Sequence, residues 1–205
     1  TMSDIGISHM QLHTLDAIIG FQVSDEDALL HVVPLFHVNG WGTPQFLTAV
    51  GGKHVMLRKV DFGDMLRLIE QEGITKILGV PTIFSGLLQH PDLKKYNLSS
   101  LKEVIIGGAA SSLSLIEKLE AEIGCKAIVG YGLTETSPFA VIARPKPHLK
   151  EDERTRLTTQ VKTGLPIVGV QLRVVDENGN DVPADEKAIG EIVFRSNAVM
   201  KGYRK

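Results

Sequence analysis

In the stretch Gly130-Tyr131-Gly132-Leu133-Thr134-Glu135-Thr136-Ser137-Pro138, two glycines flank an aromatic ring, and hydroxyl, carboxylate, hydroxyl and hydroxyl follow. An aromatic face suits a planar base. A threonine hydroxyl donates to a phosphate oxygen, and a carboxylate beside it suits Mg²⁺, a hard cation that prefers oxygen ligands. A second stretch, Gly107-Gly108-Ala109-Ala110-Ser111, follows an apolar run and leads into a helical pattern. Glycines let a ligand approach the backbone, and a helix N-terminus offers free N–H groups. The stretch is neither a Walker A loop nor GxGxxG, and alone it reads first as a tight strand-to-helix turn. A third, Pro34-Leu35-Phe36-His37-Val38-Asn39-Gly40-Trp41, gathers an imidazole, an amide and an indole. On spacing alone it reads first as a satisfied loop histidine beside a core tryptophan.

The elements that must position these residues follow from periodicity. Short apolar runs at 28–33, 55–57, 77–80, 104–106 and 127–129 read as strands. Between them lie helical patterns. Phe62, Met65, Leu66 and Ile69 recur at i, i+3, i+4 and i+7, which predicts a helix over 61–72 stopped by Gly73. Pro81 opens a helix carrying Ile83, Phe84, Leu87 and Leu88. Ser114 and Glu117 form a capping-box pattern ahead of Ile116, Leu119 and Ile123, with Gly124 as the stop. Leu12, Leu15, Ile18 and Ile19 fall on one helical face. Strand–helix alternation with strands apolar on both faces predicts an α/β fold, a mainly parallel sheet flanked by helices. Loops leaving the carboxyl ends of such strands line the ligand crevice, so His37, Asn39 and Trp41 are expected to point into it.

The pattern then changes. Residues 144–163 are polar and charge-rich, with Pro145 and Pro147, and read as an exposed charged connection with one helical turn within 150–157. From Gly164 the period is two. Val170, Leu172 and Val174 share a face, Asn178-Gly179 is a hairpin signal, and Ile192 and Phe194 alternate with Glu191, Val193 and Arg195. The expected organisation is an α/β part at 1–143, the connection at 144–163, and a small antiparallel β module at 164–205.

Composition removes several function classes. Of 205 residues 43% are hydrophobic, enough for a proper core, and the formal net charge of -2 gives no electrostatic reason to expect nucleic acid or an anionic membrane. No apolar run approaches the roughly 20 residues of a membrane helix, so no transmembrane segment is expected. Residues 1–9 lack a basic stretch followed by an apolar one, and no signal peptide is read there. The single cysteine, Cys125, cannot form an internal disulfide; it reads as a small buried apolar residue and suits a reducing, cytoplasmic setting.

The stretch 131–138 resembles the signature of the adenylate-forming, AMP-binding superfamily: acyl-CoA synthetases, luciferases and peptide-synthetase adenylation domains. Further places match in the same order: 34–41, Val80-Pro81-Thr82, Gly107-Gly108-Ala109, and Gly164-Leu165-Pro166 with Gly190-Glu191-Ile192. Phe36 to Trp41 looks most like the medium- and long-chain fatty acyl-CoA synthetases. The resemblance implies a two-step reaction in which a carboxylic acid and ATP give acyl-AMP and pyrophosphate, and the thiol of coenzyme A then displaces AMP. It implies that Tyr131, between Gly130 and Gly132, stacks on adenine. Gly107, Gly108 and Ala109 contact the base and wall the acyl pocket by backbone. Thr134 bonds phosphate, Glu135 holds Mg²⁺, and His37 lies near the acyl-phosphate. Trp41, Val80 and Thr82 are implied for the acyl pocket.

The same resemblance places the family's glycine-rich phosphate loop just before Ser8-His9, where residues 1–6 contain no lysine. It places the ribose-binding aspartate and the domain with the catalytic lysine beyond Lys205. The chain is therefore expected to be an internal piece of the large N-terminal domain, inactive by itself. Other readings are a non-catalytic nucleotide or acyl-adenylate binding module and an adenylation domain for another carboxylic acid. An amino-acid substrate calls for a carboxylate in the acyl pocket, and 80–84 contain none.

Overall fold

The structure, a computed structural model, describes residues 4–37, 40, 42–149, 152–185 and 187–203. In chain order these form α1 (Asp4–Phe21), β1 (Ala28–His31), α2 (Thr43–Val50), β2 (Lys53–Met56), α3 (Phe62–Glu72), β3 (Lys76–Gly79), α4 (Pro81–Leu88), β4 (Glu103–Ile106) and α5 (Leu113–Lys118). There follow β5 (Lys126–Tyr131), β6 (Val141–Ala143), α6 (Glu153–Gln160), β7 (Leu165–Pro166), β8 (Val170–Val175) and β9 (Glu191–Ser196). Among the described residues one sheet runs β2-β1-β3-β4-β5-β6-β7. Strands β1 to β5 pair parallel, and β6 and β7 add antiparallel. Strands β8 and β9 form a separate antiparallel pair.

The apolar character of both strand faces has a direct structural reason. Successive side chains point to opposite sides of a sheet. Leu30, Ile77, Val104 and Ile106 pack with Met65, Ile69, Phe84 and Ile116 on the face covered by α3, α4 and α5. Leu29 and Ile105 pack with Ala17, Phe21, Phe46 and Leu47 on the face covered by α1 and α2. Each large side chain so buried contributes roughly 1.5–3 kcal/mol. Helix α3 begins and ends where its sequence signals put it. The Asp61 side chain accepts from Asp64 N–H, and Gly73 adopts the left-handed conformation at φ 63°.

Near the amino ends of the strands, Glu103 accepts the Arg144 guanidinium on both oxygens, at 2.8 and 3.0 Å. Lys76 Nζ lies 3.4 Å from the same carboxylate. Lys76 and Glu103 are both buried, so this trio ties the end of β6 to β4 across β5. Cys125 is buried as expected, and burial pushes its thiol up to about 12.

Several local expectations differ from the structure. The cap of α5 is Ser112, whose hydroxyl accepts from Leu115 N–H, not Ser114. Leu12, Leu15 and Ile19 remain 39%, 55% and 58% exposed, while His13, Ala17 and Phe21 form the buried stripe of α1. The connection at 144–163 is not simply exposed. Helix α6 lies within it, Gln160 Nε2 donates to the Ala127 carbonyl of β5 at 2.7 Å, and Arg156 pairs with Glu120 at 2.7 Å. Leu157 joins the core cluster, and polar side chains supply the rest of the docking, so the apolar pattern was too sparse to reveal it. Leu165 and Pro166 join the edge of the main sheet through β6 rather than the β8–β9 pair.

Candidate active site

Because β1, β3, β4 and β5 are parallel, the loops that leave their carboxyl ends open on one edge of the sheet. Those loops carry His37, Val80 and Thr82, residues 107–111, and the Thr134–Thr136 turn. The loop after β4 stays bonded to its neighbour, with Gly107 N–H donating to Gly79 O at 3.0 Å. A Cβ on Gly107 would stand 3.4 Å from Gly130 O, and one on Gly132 would collide with the Pro138 carbonyl. Gly108 is left-handed at φ 80°. Bare backbone at Gly132 is thus what lets the chain after β5 fold back against the Pro138–Phe139 backbone.

Two openings meet at this point. One is a narrow apolar slot whose side-chain walls are Phe21, Val33, Leu78, Ile105 and Phe139, with about 40 Å³ of free space. The adjoining pocket, about 370 Å³, is walled by Ala109, Ala110 and Ser111 on one side and Lys162 and Thr163 on another. Gly108, Gly130, Tyr131 and Gly132 line both. Ser111 Oγ is buried with no hydrogen-bond partner among the described residues, which leaves a polar group over at the wider pocket. Tyr131 is half-buried, its ring 6.2 Å from Phe194 of β9 and tilted by 33°. The β8–β9 pair therefore braces the ring from outside.

Thr136 organises the turn after β5. Its buried hydroxyl accepts from Leu133 N–H at 2.8 Å and lies 3.0 Å from Leu133 O. That leaves Thr134 exposed and Glu135 half-buried on the outer side of the turn. Glu135 Oε1 accepts from the Tyr203 hydroxyl at 2.6 Å, and Glu135 O accepts from Met200 N–H at 2.9 Å. The hydrogen bond from Tyr203 holds the Glu135 carboxyl below its ordinary range. Among the described residues no group of three or more His, Cys, Asp and Glu side chains could cage a metal. Mg²⁺ commonly binds through one or two carboxylates plus substrate phosphates and water, and a single half-buried carboxylate such as Glu135 fits that mode.

His37 is exposed on a turn closed by its N–H to Pro34 O at 3.0 Å and by Gly40 N–H to His37 O at 2.8 Å. It shares the sheet edge with the glycines but lines neither opening; Val33, just upstream, lines the slot. Val80 is the N-cap of α4 and Thr82 is exposed in its first turn, and Gly79 rather than either lines the slot. Asn39 and Trp41 lie outside the described residues. The sequence reading did not find Phe21, Leu78, Ile105 or Phe139 as slot walls. Leu78 and Ile105 were accessible in principle, as the strand positions facing α1. Phe194 and Tyr203 carried no local signal.

Residues 5–204 match the family described as AMP-binding enzyme. The chain is similar to the long-chain-fatty-acid–CoA ligase of Thermus thermophilus, with 41% identity over 196 residues, covering 94% of this chain and 36% of that protein. It is similar to the medium-chain-fatty-acid–CoA ligase of Ectopseudomonas oleovorans, with 36% identity over 185 residues, covering 88% of this chain and 34% of that protein. Among solved structures, the amide bond synthetase McbA of Marinactinospora thermotolerans matches with a TM-score of 0.81 and 27% identity, over 95% of this chain and 37% of that one. A long-chain-fatty-acid-CoA ligase of Archaeoglobus fulgidus shares the fold, with a TM-score of 0.82 and 24% identity over 96% of this chain and 40% of that one. The chain spans about a third of the length of the curated relatives it matches.

Proposed function

Since the chain belongs to the AMP-binding enzyme family, we propose that it supplies the nucleotide- and acid-binding part of an acyl-CoA ligase acting on a fatty acid. The observation that carries this reading is the meeting of a wider pocket, bordered by the unpartnered Ser111 hydroxyl, and a narrow slot with apolar side-chain walls at Gly108, Gly130, Tyr131 and Gly132. A nucleotide in the wider pocket and an acyl chain in the slot would bring carboxylate and α-phosphate together at that junction.

The carboxylate oxygen attacks the α-phosphorus of ATP, the bond to the β-phosphate oxygen breaks, and pyrophosphate leaves with the electron pair. The coenzyme A thiol then loses its proton to solvent, its sulfur attacks the acyl carbonyl, the acyl–oxygen bond breaks, and AMP leaves with the electron pair. In this reading Tyr131 stacks on adenine, its far side steadied by Phe194. The backbone at Gly107, Gly108 and Ala109 lies along the base and the acyl chain. Thr134 donates to phosphate. Glu135 holds Mg²⁺, which neutralises phosphate charge when bound with the nucleotide. His37 orients the acid or the thiol. Proximity and charge neutralisation are what the first step requires.

The relatives' printed names span long-chain and medium-chain fatty acids and 4-hydroxybutyrate. The apolar walls of the slot favour the fatty acids. Val80 and Thr82 border its mouth in sequence, and Trp41 completes the acyl set proposed from the family resemblance. The test is acid-dependent ATP–pyrophosphate exchange and acyl-CoA formation by the intact protein containing these residues, across short to long acids. Exchange that grows with apolar chain length is expected. Exchange with none of the acids overturns the ligase reading. Glu135→Ala is expected to lower exchange at least ~10², and an undiminished rate removes Glu135 from its role.

A further inference from the structure

His31 and His54 take no part in the chemistry above, yet their rings stack 5.1 Å apart and 13° from parallel. His31 Nε2 lies 3.0 Å from His54 Nδ1. His31 Nδ1 lies 3.1 Å from Thr43 Oγ1, and His54 Nε2 lies 3.1 Å from Thr48 Oγ1. The Thr43 hydroxyl is also 2.6 Å from the Gly40 carbonyl. His31 and Thr43 are buried, while Thr48 is exposed.

Proton counting gives this chain a direction. A carbonyl only accepts, so the single Thr43 hydroxyl proton goes to Gly40 O. Thr43 Oγ1 must then accept from His31, which therefore carries its proton on Nδ1. A neutral ring protonated there has a bare Nε2, so His54 donates to it from Nδ1–H. His54 Nε2 is left as an acceptor, filled by the Thr48 hydroxyl. A second proton on His54 Nε2 is tolerated, because the exposed Thr48 hydroxyl can turn and accept. A second proton on His31 is not, because two N–H groups would face each other across 3.0 Å.

The chain ends on the turn that presents His37. Gly40 N–H donates to His37 O, and His37 N–H donates to Pro34 O. Gly40 is packed so closely that a Cβ there would stand 2.5 Å from Pro34 O. Thr43 opens α2, whose Phe46 and Leu47 are in the core. Other ionisable groups on the packed elements have their own surroundings. Lys53 of β2 pairs with Glu72, Lys76 of β3 with Glu103, and α2 carries none. His13 of α1 lies against Phe139, ring centroids 5.8 Å apart.

We propose that Thr48, His54, His31 and Thr43 form a one-directional, charge-neutral relay that clamps the Gly40 carbonyl, making His31 and Thr43 positioning residues for the turn that presents His37. The value of that position for catalysis rests on the ligase reading; the relay itself does not. Two-bond ¹H–¹⁵N correlation spectra of the labelled 205-residue chain near neutral pH test it. Both rings are expected as neutral Nδ1–H tautomers, the minor form of free histidine. A proton found on His31 Nε2, or a His54 ring protonated on Nε2 and bare at Nδ1, overturns the direction. Thr43→Val is expected to speed amide exchange at Gly40 and His37 roughly tenfold, the scale of one lost hydrogen bond, and Thr43→Ser is expected to restore protection. Unchanged exchange in the valine variant, or no recovery with serine, overturns the clamp. If the valine variant fails to fold, the wild-type tautomers still decide. Neither readout uses turnover, so failure here leaves the ligase reading intact, and an inactive intact protein would leave these spectra unchanged.

Discussion

The Tyr203 hydroxyl donates to Glu135 Oε1 at 2.6 Å, bridging residues 68 apart in the chain. Met200 N–H donates to the Glu135 carbonyl beside it, so the segment after β9 folds back over the Thr134–Thr136 turn. The bond lowers the pKa of the carboxyl and raises that of the phenol. It leaves Glu135 ionised and restricts where its carboxylate can sit, which is what a metal ligand needs. Tyr203→Phe is expected to shift the acid limb of MgATP binding upward in pH and to weaken that binding about tenfold, the lower end for loss of a partner that orients a ligand. A titration of MgATP at several pH values checks it. An unmoved acid limb would mean that Tyr203 does not tune the carboxylate.

Two glycines that line the slot should respond differently to one added methyl. On Gly132 it would meet the Pro138 carbonyl and the Phe139 backbone, which cannot yield like a side-chain tip. Gly132→Ala is expected to cost about 1–3 kcal/mol of stability through overpacking. On Gly107 the methyl would stand at ordinary contact, 3.4 Å from Gly130 O. Gly107→Ala is therefore expected to melt near the parent while losing acyl-adenylate affinity, because the methyl narrows the slot. Thermal melts beside a binding titration separate the cases. Equal melting temperatures for the two variants would contradict the packing argument.

The Lys76–Glu103–Arg144 trio should be costly to break from its centre. Glu103→Ala removes the carboxylate that buried Lys76 reaches at 3.4 Å and that Arg144 engages with two nitrogens. Stranding buried charge in this way typically costs about 3–5 kcal/mol. Lys76→Met leaves Glu103 its Arg144 partner and is expected to cost much less. Urea unfolding of the two variants gives the comparison, and a milder effect for Glu103→Ala than for Lys76→Met would refute it.

Burial first, and the neighbouring His54 second, lower the His31 pKa to about 4 from the ordinary 6.5. Between those values the unfolded chain binds a proton that the folded chain refuses, so stability falls as pH drops from about 6.5 toward 4. Above that window the residue contributes no pH dependence. His31→Gln removes the titration, and its melting temperature is expected to fall less steeply over the window than that of the parent. Parallel curves for variant and parent would show that His31 is not the group responsible.

Much of the fold could be read locally. The spacing of Phe62, Met65, Leu66 and Ile69, capped by Asp61 and stopped by Gly73, is complete within one helix, and the structure reproduces it. Runs such as 104–106 are apolar at every position because the sheet is covered on both faces. The motif at 130–138 was visible for a similar reason: its glycines, hydroxyls and carboxylate are adjacent in the chain, and the Thr136 hydroxyl bonds back to Leu133 within the turn they form.

Other features depended on which distant surface each side chain met. Ser112 caps α5 in place of Ser114 because capping follows the backbone entry angle, which both serines leave open. Leu12, Leu15 and Ile19 looked like a core stripe, but α1 lies on the sheet through His13, Ala17 and Phe21. Tyr203 against Glu135, and His54 against His31, required strand register and chain reversal to bring together residues 68 and 23 apart. The sequence alone determined the period of each element, its stops, and the chemical types offered at the carboxyl edge of the sheet, since these depend on neighbours along the chain. Tertiary structure decided which face of α1 was buried, which strand took up Leu165, and which side chains wall the slot, because such contacts arise only when the sheet's register brings separate segments together.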